Sequence, residues 1–447
     1  VGVERLVTLL VISPDYASHL FPLATLATAW RDARERVVVA SGPATADIVA
    51  SFGFERVNLQ LGRGSNPGVI RAEDQPTGED DALRGFFDAT RIGMIETLSF
   101  QAQARSADLL WNPVETARAV QRIVREVDPQ QIIVDHLAFS ARLGLVSGRH
   151  RHADVVLGHP SALPVAGEVY GFPPRWPTAF HPDRRQMEEL RTLCETVRDS
   201  FTEQWNAALA QLDPRAEPST DAFAETGDLL FLNYPAELHD GSRTALLPPH
   251  AFIGSAVREE APDAEVQTWL AESQTPVVYV SFGSFLSVRG DVLARVAEAL
   301  RGLEVRAAIA TGSSDPAELG EIPRDWLVRG FLPQVTLLGH SALAVSHGGN
   351  NSVTESMTAG VPMLLLPFST DQFAGAAAVE DAGFGIALDP NTVTADELAD
   401  AAGRLLALAE AGRDALDRLG TSLTGYPGAR RAFDALALST AGERLQP

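Results

Sequence analysis

Residues 331–372 read FLPQVTLLGHSALAVSHGGNNSVTESMTAGVPMLLLPFSTDQ, and the fold turns on how this stretch is understood. Ala342 to Ser346 is a short apolar run of the kind that forms a buried strand. It ends in His347-Gly348-Gly349, where two glycines leave no side chain between a ligand and the backbone. Asn350-Asn351-Ser352 then opens a helix predicted over Val353 to Ala359, closed by Gly360 and Pro362 before a second apolar strand, Met363 to Leu366. The unit is strand, glycine loop, helix, strand. Unpaired amides at a helix N-terminus and the positive end of its dipole favour an anion, so the turn suits a diphosphate, with His347 as a further donor. Ser352-x-x-Glu355 also fits a capping box, in which both side chains only satisfy backbone amides. Taken alone, the pattern leaves both roles open.

Working outward, the same alternation recurs on both sides. Glu4 to Ile12 reads as a first buried strand stopping at Ser13-Pro14-Asp15, and His19 follows it. Pro22 suits the first turn of a helix, with Leu23, Leu26, Ala27 and Trp30 at helical spacing after it. A strand over Arg36 to Ala40, helical stretches over Asp81 to Ala107 and Val114 to Val127, and a strand over Gln131 to Val134 ending at Asp135 come next. Strands alternating with helices predict a parallel sheet, whose ligands gather at the carboxyl ends of the strands, where both His19 and Asp135 fall. Leu229 to Leu232 reads as the last strand of this first domain. A second alternation begins at Val277 to Val280. The predicted division is 1–235, a Pro- and Gly-marked linker 236–262, a second domain 263–424, and a C-terminal helix and tail 425–447 packing back on the first domain.

The 447 residues carry a formal net charge of -22, with 36 basic residues, all of them arginine. So acidic a chain argues against nucleic acid or an anionic membrane as partner. No apolar run approaches the roughly 18 residues that a membrane-spanning helix needs, and no signal-peptide pattern is present, so a cytoplasmic protein is expected. The one cysteine, Cys194, excludes an internal disulfide or a cysteine-built metal site.

A hydroxyl becomes a good nucleophile only when a base takes its proton, and histidine titrates in the right range. His19 is the candidate base. The helix N-terminus beside it is expected to keep the ring neutral, and Asp135 to fix its tautomer and steady the developing charge. His136 and His159 are candidates for an acceptor pocket. Asp-x-Asp occurs nowhere in the chain, so no metal is expected on the diphosphate, and one base without a paired nucleophilic carboxylate predicts a single displacement with inversion.

Segment 331–372 resembles the donor-binding signature box of the family 1 UDP-glycosyltransferases. Pro333-Gln334, His340, His347-x-Gly349, Asn351-Ser352, Glu355, Gly360-Val361-Pro362, Pro367 and Asp371-Gln372 stand at the family's spacing. Ser281-Phe282-Gly283-Ser284 is similar to its SFGS segment, and His19-x-x-Pro22 to its N-terminal histidine motif. The resemblance implies an α/β protein of GT-B fold, with two facing Rossmann-like, doubly wound domains and a cleft between them. It implies a donor site of Ser284, Phe331, Leu332, Gln334, His347, Gly349, Asn350, Asn351, Ser352, Glu355, Asp371 and Gln372. Within that set His347, Asn351 and Ser352 hold the diphosphate, Glu355 the ribose, and Asp371-Gln372 the sugar. Phe331 stands where plant members have a tryptophan stacked on uracil, and Gly348 and Asn350 replace the cysteine and tryptophan of the plant HCGWNS motif. The implied activity is that of a UDP-glycosyltransferase: inverting, cofactor-free and metal-independent transfer of a hexose to a hydroxyl of a small hydrophobic acceptor such as a polyketide, macrolide or flavonoid. UDP-glucose is the first donor to consider and a dTDP-sugar the second, with the protein a monomer or homodimer. Two other readings are a non-catalytic nucleotide-sugar-binding activator of another transferase, and a nucleotide-sugar epimerase of the same fold.

Overall fold

The computed structural model describes residues 7–62, 64–65, 79–108, 110–283, 289–408 and 410–441. Among these residues thirteen strands lie in two sheets, every pair parallel. The first holds β1 (Thr8–Ile12), β2 (Arg36–Ser41), β3 (Glu55–Asn58), β4 (Gln131–Asp135), β5 (Ala153–Val156), β6 (Leu229–Leu232) and β7 (His250–Phe252), in the order β3-β2-β1-β4-β5-β6-β7. The second holds β8 (Val277–Ser281), β9 (Arg306–Ala310), β10 (Leu327–Arg329), β11 (Ser341–Ser346), β12 (Met363–Leu365) and β13 (Gly385–Ala387), in the order β10-β9-β8-β11-β12-β13.

Strand periodicity explains why helices cover both faces. In β1, Leu9 and Val11 enter one core cluster while Leu10 and Ile12 enter another. In β8, Val277 and Tyr279 face one core, and Val278 and Val280 the other. Side chains alternate across a strand, so a run that is apolar at every position must be covered twice. In each sheet the strand order reverses at the first strand of its domain, between β1 and β4 and between β8 and β11. Such a switch point opens a crevice at the carboxyl ends of the strands, where ligands bind in doubly wound sheets. The expected α/β fold with two Rossmann-like sheets is the fold observed.

Several boundaries differ from the sequence reading. β7 lies inside the stretch taken as linker, 236–262, and adds a seventh strand beyond β6. Its three residues after Pro248-Pro249 are too few to show a period. The helix taken as beginning at Pro22 runs over Ala17–Asp32, so Pro22 lies in its interior and His19 is its third residue. The stretch 81–107 is two helices, Glu79–Ile92 and Met94–Asp108, broken at Gly93.

Three elements tie the domains together. Phe86, on the helix Glu79–Ile92, packs into the core of the second domain, and the Thr90 carbonyl accepts hydrogen bonds from Arg289 Nη1 and Asn391 Nδ2, both at 3.0 Å. Thr178 and Glu380 are hydrogen-bonded, and Arg175 pairs with Asp381 at 2.5 Å. The C-terminal helix Gly428–Ala441 returns to the first domain, with Phe433 edge-on to Trp30 at 5.1 Å. No helix among the described residues is long and apolar enough to cross a membrane. Cys194 is buried on the helix Arg184–Leu212, which its N-cap Asp183 starts.

Candidate active site

β4 ends in Asp135, and the helix after the neighbouring β1 carries His19 across from it. His19 Nδ1 lies 2.6 Å from Asp135 Oδ2, and Asp135 Oδ1 accepts the Leu137 amide at 2.8 Å. Asp135 is 1% exposed whereas the His19 side chain keeps 28%, so the carboxylate is fixed and the imidazole reaches the cleft. With Nδ1–H donated to the carboxylate, Nε2 is left as the ring's proton acceptor. The helix N-terminus expected to favour the neutral ring is opposed by the charged groups around it. Burial pushes its pKa down, but the Asp135 charge and hydrogen bond, together with the charge of Asp371 from the other domain, outweigh it, and the net direction is up.

On the opposite wall, β11 delivers His347 into a slot between two glycine backbones. A Cβ at Gly283 would come within 3.1 Å of the ring, and one at Gly349 within 2.5 Å, so side chains at either position would displace it. Burial holds the His347 pKa down at about 4, against a hydrogen bond with the Ser281 backbone that raises it. His347 is therefore an uncharged hydrogen-bonding group at neutral pH.

The following helix begins at Asn350, three residues earlier than predicted, with Gly349 as its N-cap and no capping side chain. The capping-box alternative fails with that boundary. Ser352 sits at the third helical position, and Glu355 is buried in the helix interior, its Oε1 accepting from Arg258 Nη1 at 3.2 Å and its Oε2 from Gln334 Nε2 at 2.6 Å. Tyr279 donates in turn to Gln334 Oε1 at 3.3 Å. Phe331 is 68% exposed while its neighbour Leu332 is buried. Ser284 lies outside the described residues.

Several residues of the donor box reach across the cleft. Asn350 Nδ2 donates to the carbonyls of Leu157 (2.7 Å) and Asn233 (2.9 Å), just past the ends of β5 and β6. Asn351 Nδ2 donates to the Ser18 carbonyl at 3.3 Å. That carbonyl is available because Pro22, four residues on, has no N–H to give it. Asp371 Oδ2 accepts the His159 backbone N–H at 2.6 Å, an approach that a side chain at Gly158 would obstruct. Thr370 beside it has a left-handed backbone, φ 46°, a strained conformation that clusters at functional sites. Gln372 is occupied locally: Oε1 accepts the amides of Phe368 and Ser369, and Nε2 donates to Ser369 Oγ.

The two candidate acceptor histidines are both buried. His136 is 1% exposed inside the first domain, where Asp154, itself paired with Arg142 at 3.0 Å, stands 3.2 Å from its Nδ1. Its pKa is lowered by burial and by the Arg142 charge, and its contacts are with that buried cluster. His159 is buried at the domain contact, edge-on to Tyr234 at 5.1 Å and bonded to Ser161, with its pKa down at about 3 through burial. Sequence reasoning missed Arg258, hidden in a stretch read as linker. It also missed Gly158-His159 as a partner of Asp371, although a glycine just past a strand end was a usable signal.

Two facing doubly wound sheets, with the His19–Asp135 pair at one switch point and the glycine-lined turn around His347 at the other, form a GT-B architecture. Residues 193–410 match the family model described as UDP-glucoronosyl and UDP-glucosyl transferase. That match covers just under half of the chain, which is to that extent similar to the family. Among curated relatives, it is 28% identical over 152 residues to the NDP-glycosyltransferase YjiC of Bacillus licheniformis, an alignment of 34% of this chain and 38% of that protein. It is 29% identical over 218 residues to the demethyllactenocin mycarosyltransferase of Streptomyces fradiae, covering 45% and 46%. The chain thus spans less than half the length of these relatives. The fold is similar from end to end to solved structures. The glycotransferase of kitacinnamycin gives a TM-score of 0.69 at 20% identity over 96% of this chain and 98% of that one. The calicheamicin glycosyltransferase CalG4 gives 0.66 at 19% over 99% and 100%.

Proposed function

We propose that the protein is an inverting, metal-independent glycosyltransferase that moves a hexose from a nucleoside diphosphate to a hydroxyl of a small hydrophobic acceptor. The observation that carries the reading is the 2.6 Å His19–Asp135 pair facing Asp371 of the donor box across the cleft. His19 Nε2 takes the acceptor proton, and the hydroxyl oxygen attacks the anomeric carbon from the side opposite the diphosphate. The bond from that carbon to the diphosphate oxygen breaks, and the electron pair leaves with the nucleotide. Asp135 balances the imidazolium that forms, while the first-turn amides of the helix Asn350–Thr358 and His347 stabilise the leaving diphosphate. The activator and epimerase readings leave this base pair without work.

UDP-glucose is the first donor of this proposal. A second donor reading, a dTDP-deoxysugar, is favoured by Gln372, whose oxygen is already engaged with two backbone amides and so has less to offer a sugar hydroxyl. The test is a competition of UDP-glucose, dTDP-glucose and a dTDP-deoxysugar against a panel of phenolic, polyketide and macrolide acceptors, read by product mass. Glycosylated product from any pair supports transfer, and the dominant mass identifies the donor. No product from any pair, with intact nucleotide binding, would overturn catalysis in favour of an activator.

A further inference from the structure

The chain between β7 and the second domain places a cation where the steps above use none. Arg258 Nη1 donates to Glu355 Oε1 at 3.2 Å and Nη2 to Glu260 Oε1 at 3.0 Å. Glu260 is anchored through its other oxygen, which accepts the amide and hydroxyl of Thr336 at 2.9 and 3.1 Å. The guanidinium also lies 5.8 Å over the ring of Phe21, two residues beyond His19. We propose that Arg258 is a positioning residue that keeps the Glu355 carboxylate ionised and aimed, so that two vicinal ribose hydroxyls can donate to it. The proposal rests on the reading of the cleft as a nucleotide-sugar site.

The Glu355 side chain is 4% exposed, and burial in such surroundings favours the neutral acid. The groups that face it are Arg258 and Glu260 from the connecting segment, Gln334 from the helix Gln334–Leu338, and Tyr279 from β8. Burial raises its pKa, the Arg258 charge and the Gln334 hydrogen bond oppose that, and Glu260 adds to the rise. The net direction is up, and among the described residues facing Glu355, Arg258 is the cation that works against burial and the second carboxylate and limits that rise. Each Glu355 oxygen accepts one bond from protein, Oε1 from Arg258 and Oε2 from Gln334. An ionised carboxylate has about four lone-pair sites, so each oxygen keeps capacity for one hydroxyl. Protonation would turn one of those oxygens into a donor and end the match to a diol.

The experiment is calorimetric titration of UDP and of 2′,3′-dideoxy-UDP into the wild type, Arg258→Met and Arg258→Lys, from pH 6.5 to 8.5. Taking the ratio of the two Kd values at each pH cancels the titration of the diphosphate itself. The wild type should prefer UDP by about tenfold or more, with little change over this range, and the lysine variant should retain that preference. In the methionine variant the preference should collapse at pH 6.5 and return as the pH rises, because Glu355 then ionises only at higher pH. Should the methionine variant not fold, Arg258→Gln gives the same reading. Equal weakening of both ligands at every pH, or an unchanged preference, overturns the proposal and leaves Arg258 a structural strut. A wild type that does not bind UDP overturns the proposal, and if dTDP titrated in parallel is not bound either, the nucleotide site itself falls with it.

Discussion

Asp135→Asn changes one charge and almost no volume. The carboxylate is 1% exposed and holds His19 Nδ1 at 2.6 Å, while its other oxygen takes the Leu137 amide at 2.8 Å. If the asparagine keeps its oxygen on Leu137, its NH2 meets Nδ1 and forces the ring proton onto Nε2, the atom that must accept. A hydrogen bond to a charged group contributes about 1.5–3 kcal/mol, which is roughly 10- to 100-fold in rate, and the wrong tautomer adds to this. We expect kcat/KM to fall about 10²-fold or more. A pH signature follows from the sign of the shift. The raised His19 pKa places the acid limb of the wild-type profile above the ordinary histidine value, with activity rising as the ring loses its proton. Removing the Asp135 charge, the chief group that raises it, leaves burial and Asp371 and moves the limb to lower pH. The assay is kcat/KM from pH 5 to 9 with an aliphatic alcohol acceptor, whose high pKa makes the base indispensable, alongside nucleotide affinity by calorimetry. Unchanged nucleotide affinity with a slower, acid-shifted profile is the expected result. A near-normal rate, or a limb that does not move, would refute the base assignment.

Two further outcomes follow from the cleft and the core. Asn350→Ala removes two neutral hydrogen bonds to the first domain, together about 1–3 kcal/mol of domain closure. Solution scattering should show a larger radius of gyration, and the donor KM should rise more than kcat falls. Unchanged dimensions would mean that the Asn350 bonds do not hold the domains closed. Asp154 is fully buried, and the Arg142 charge and the His136 bond outweigh burial to hold its pKa down at about 2. Its contribution is present above the unfolded carboxylate value and is lost as the pH falls through about 2. Asp154→Asn should therefore lower stability near neutral pH by about 3 kcal/mol, as expected for breaking a buried pair, and flatten acid unfolding between pH 4 and 2. Urea titrations at each pH measure this, and a variant with wild-type acid sensitivity would contradict it.

Local features made much of this legible in the sequence. β1, β8 and β11 are apolar at nearly every position, so their burial between two helical layers could be read directly. His347-Gly348-Gly349 announced a close backbone approach, which the slot between Gly283 and Gly349 now explains. His19 and Asp135 could be paired because each follows a strand in an alternating pattern. What could not be read depends on long-range partners. Ser352-x-x-Glu355 has the spacing of a cap, and only the burial of Glu355 against Arg258 and Gln334 shows otherwise. The net upward shift of His19 comes partly from Asp371, more than 350 residues away in the chain. His136 has the same local setting as a pocket histidine, at the end of a strand beside Asp135. Its true partner, Asp154, belongs to the neighbouring β5.

The central claim is direct displacement driven by His19, and the anomeric configuration of the product tests it most directly. With an α-linked nucleoside diphosphate hexose that the protein accepts, the proton NMR spectrum of the isolated glycoside reports the H1–H2 coupling and hence the geometry at the new bond. The account predicts a β-glycoside from the wild type and loss of that product in His19→Ala with nucleotide binding intact. An α-glycoside, or β-product formed at an undiminished rate without His19, would contradict it.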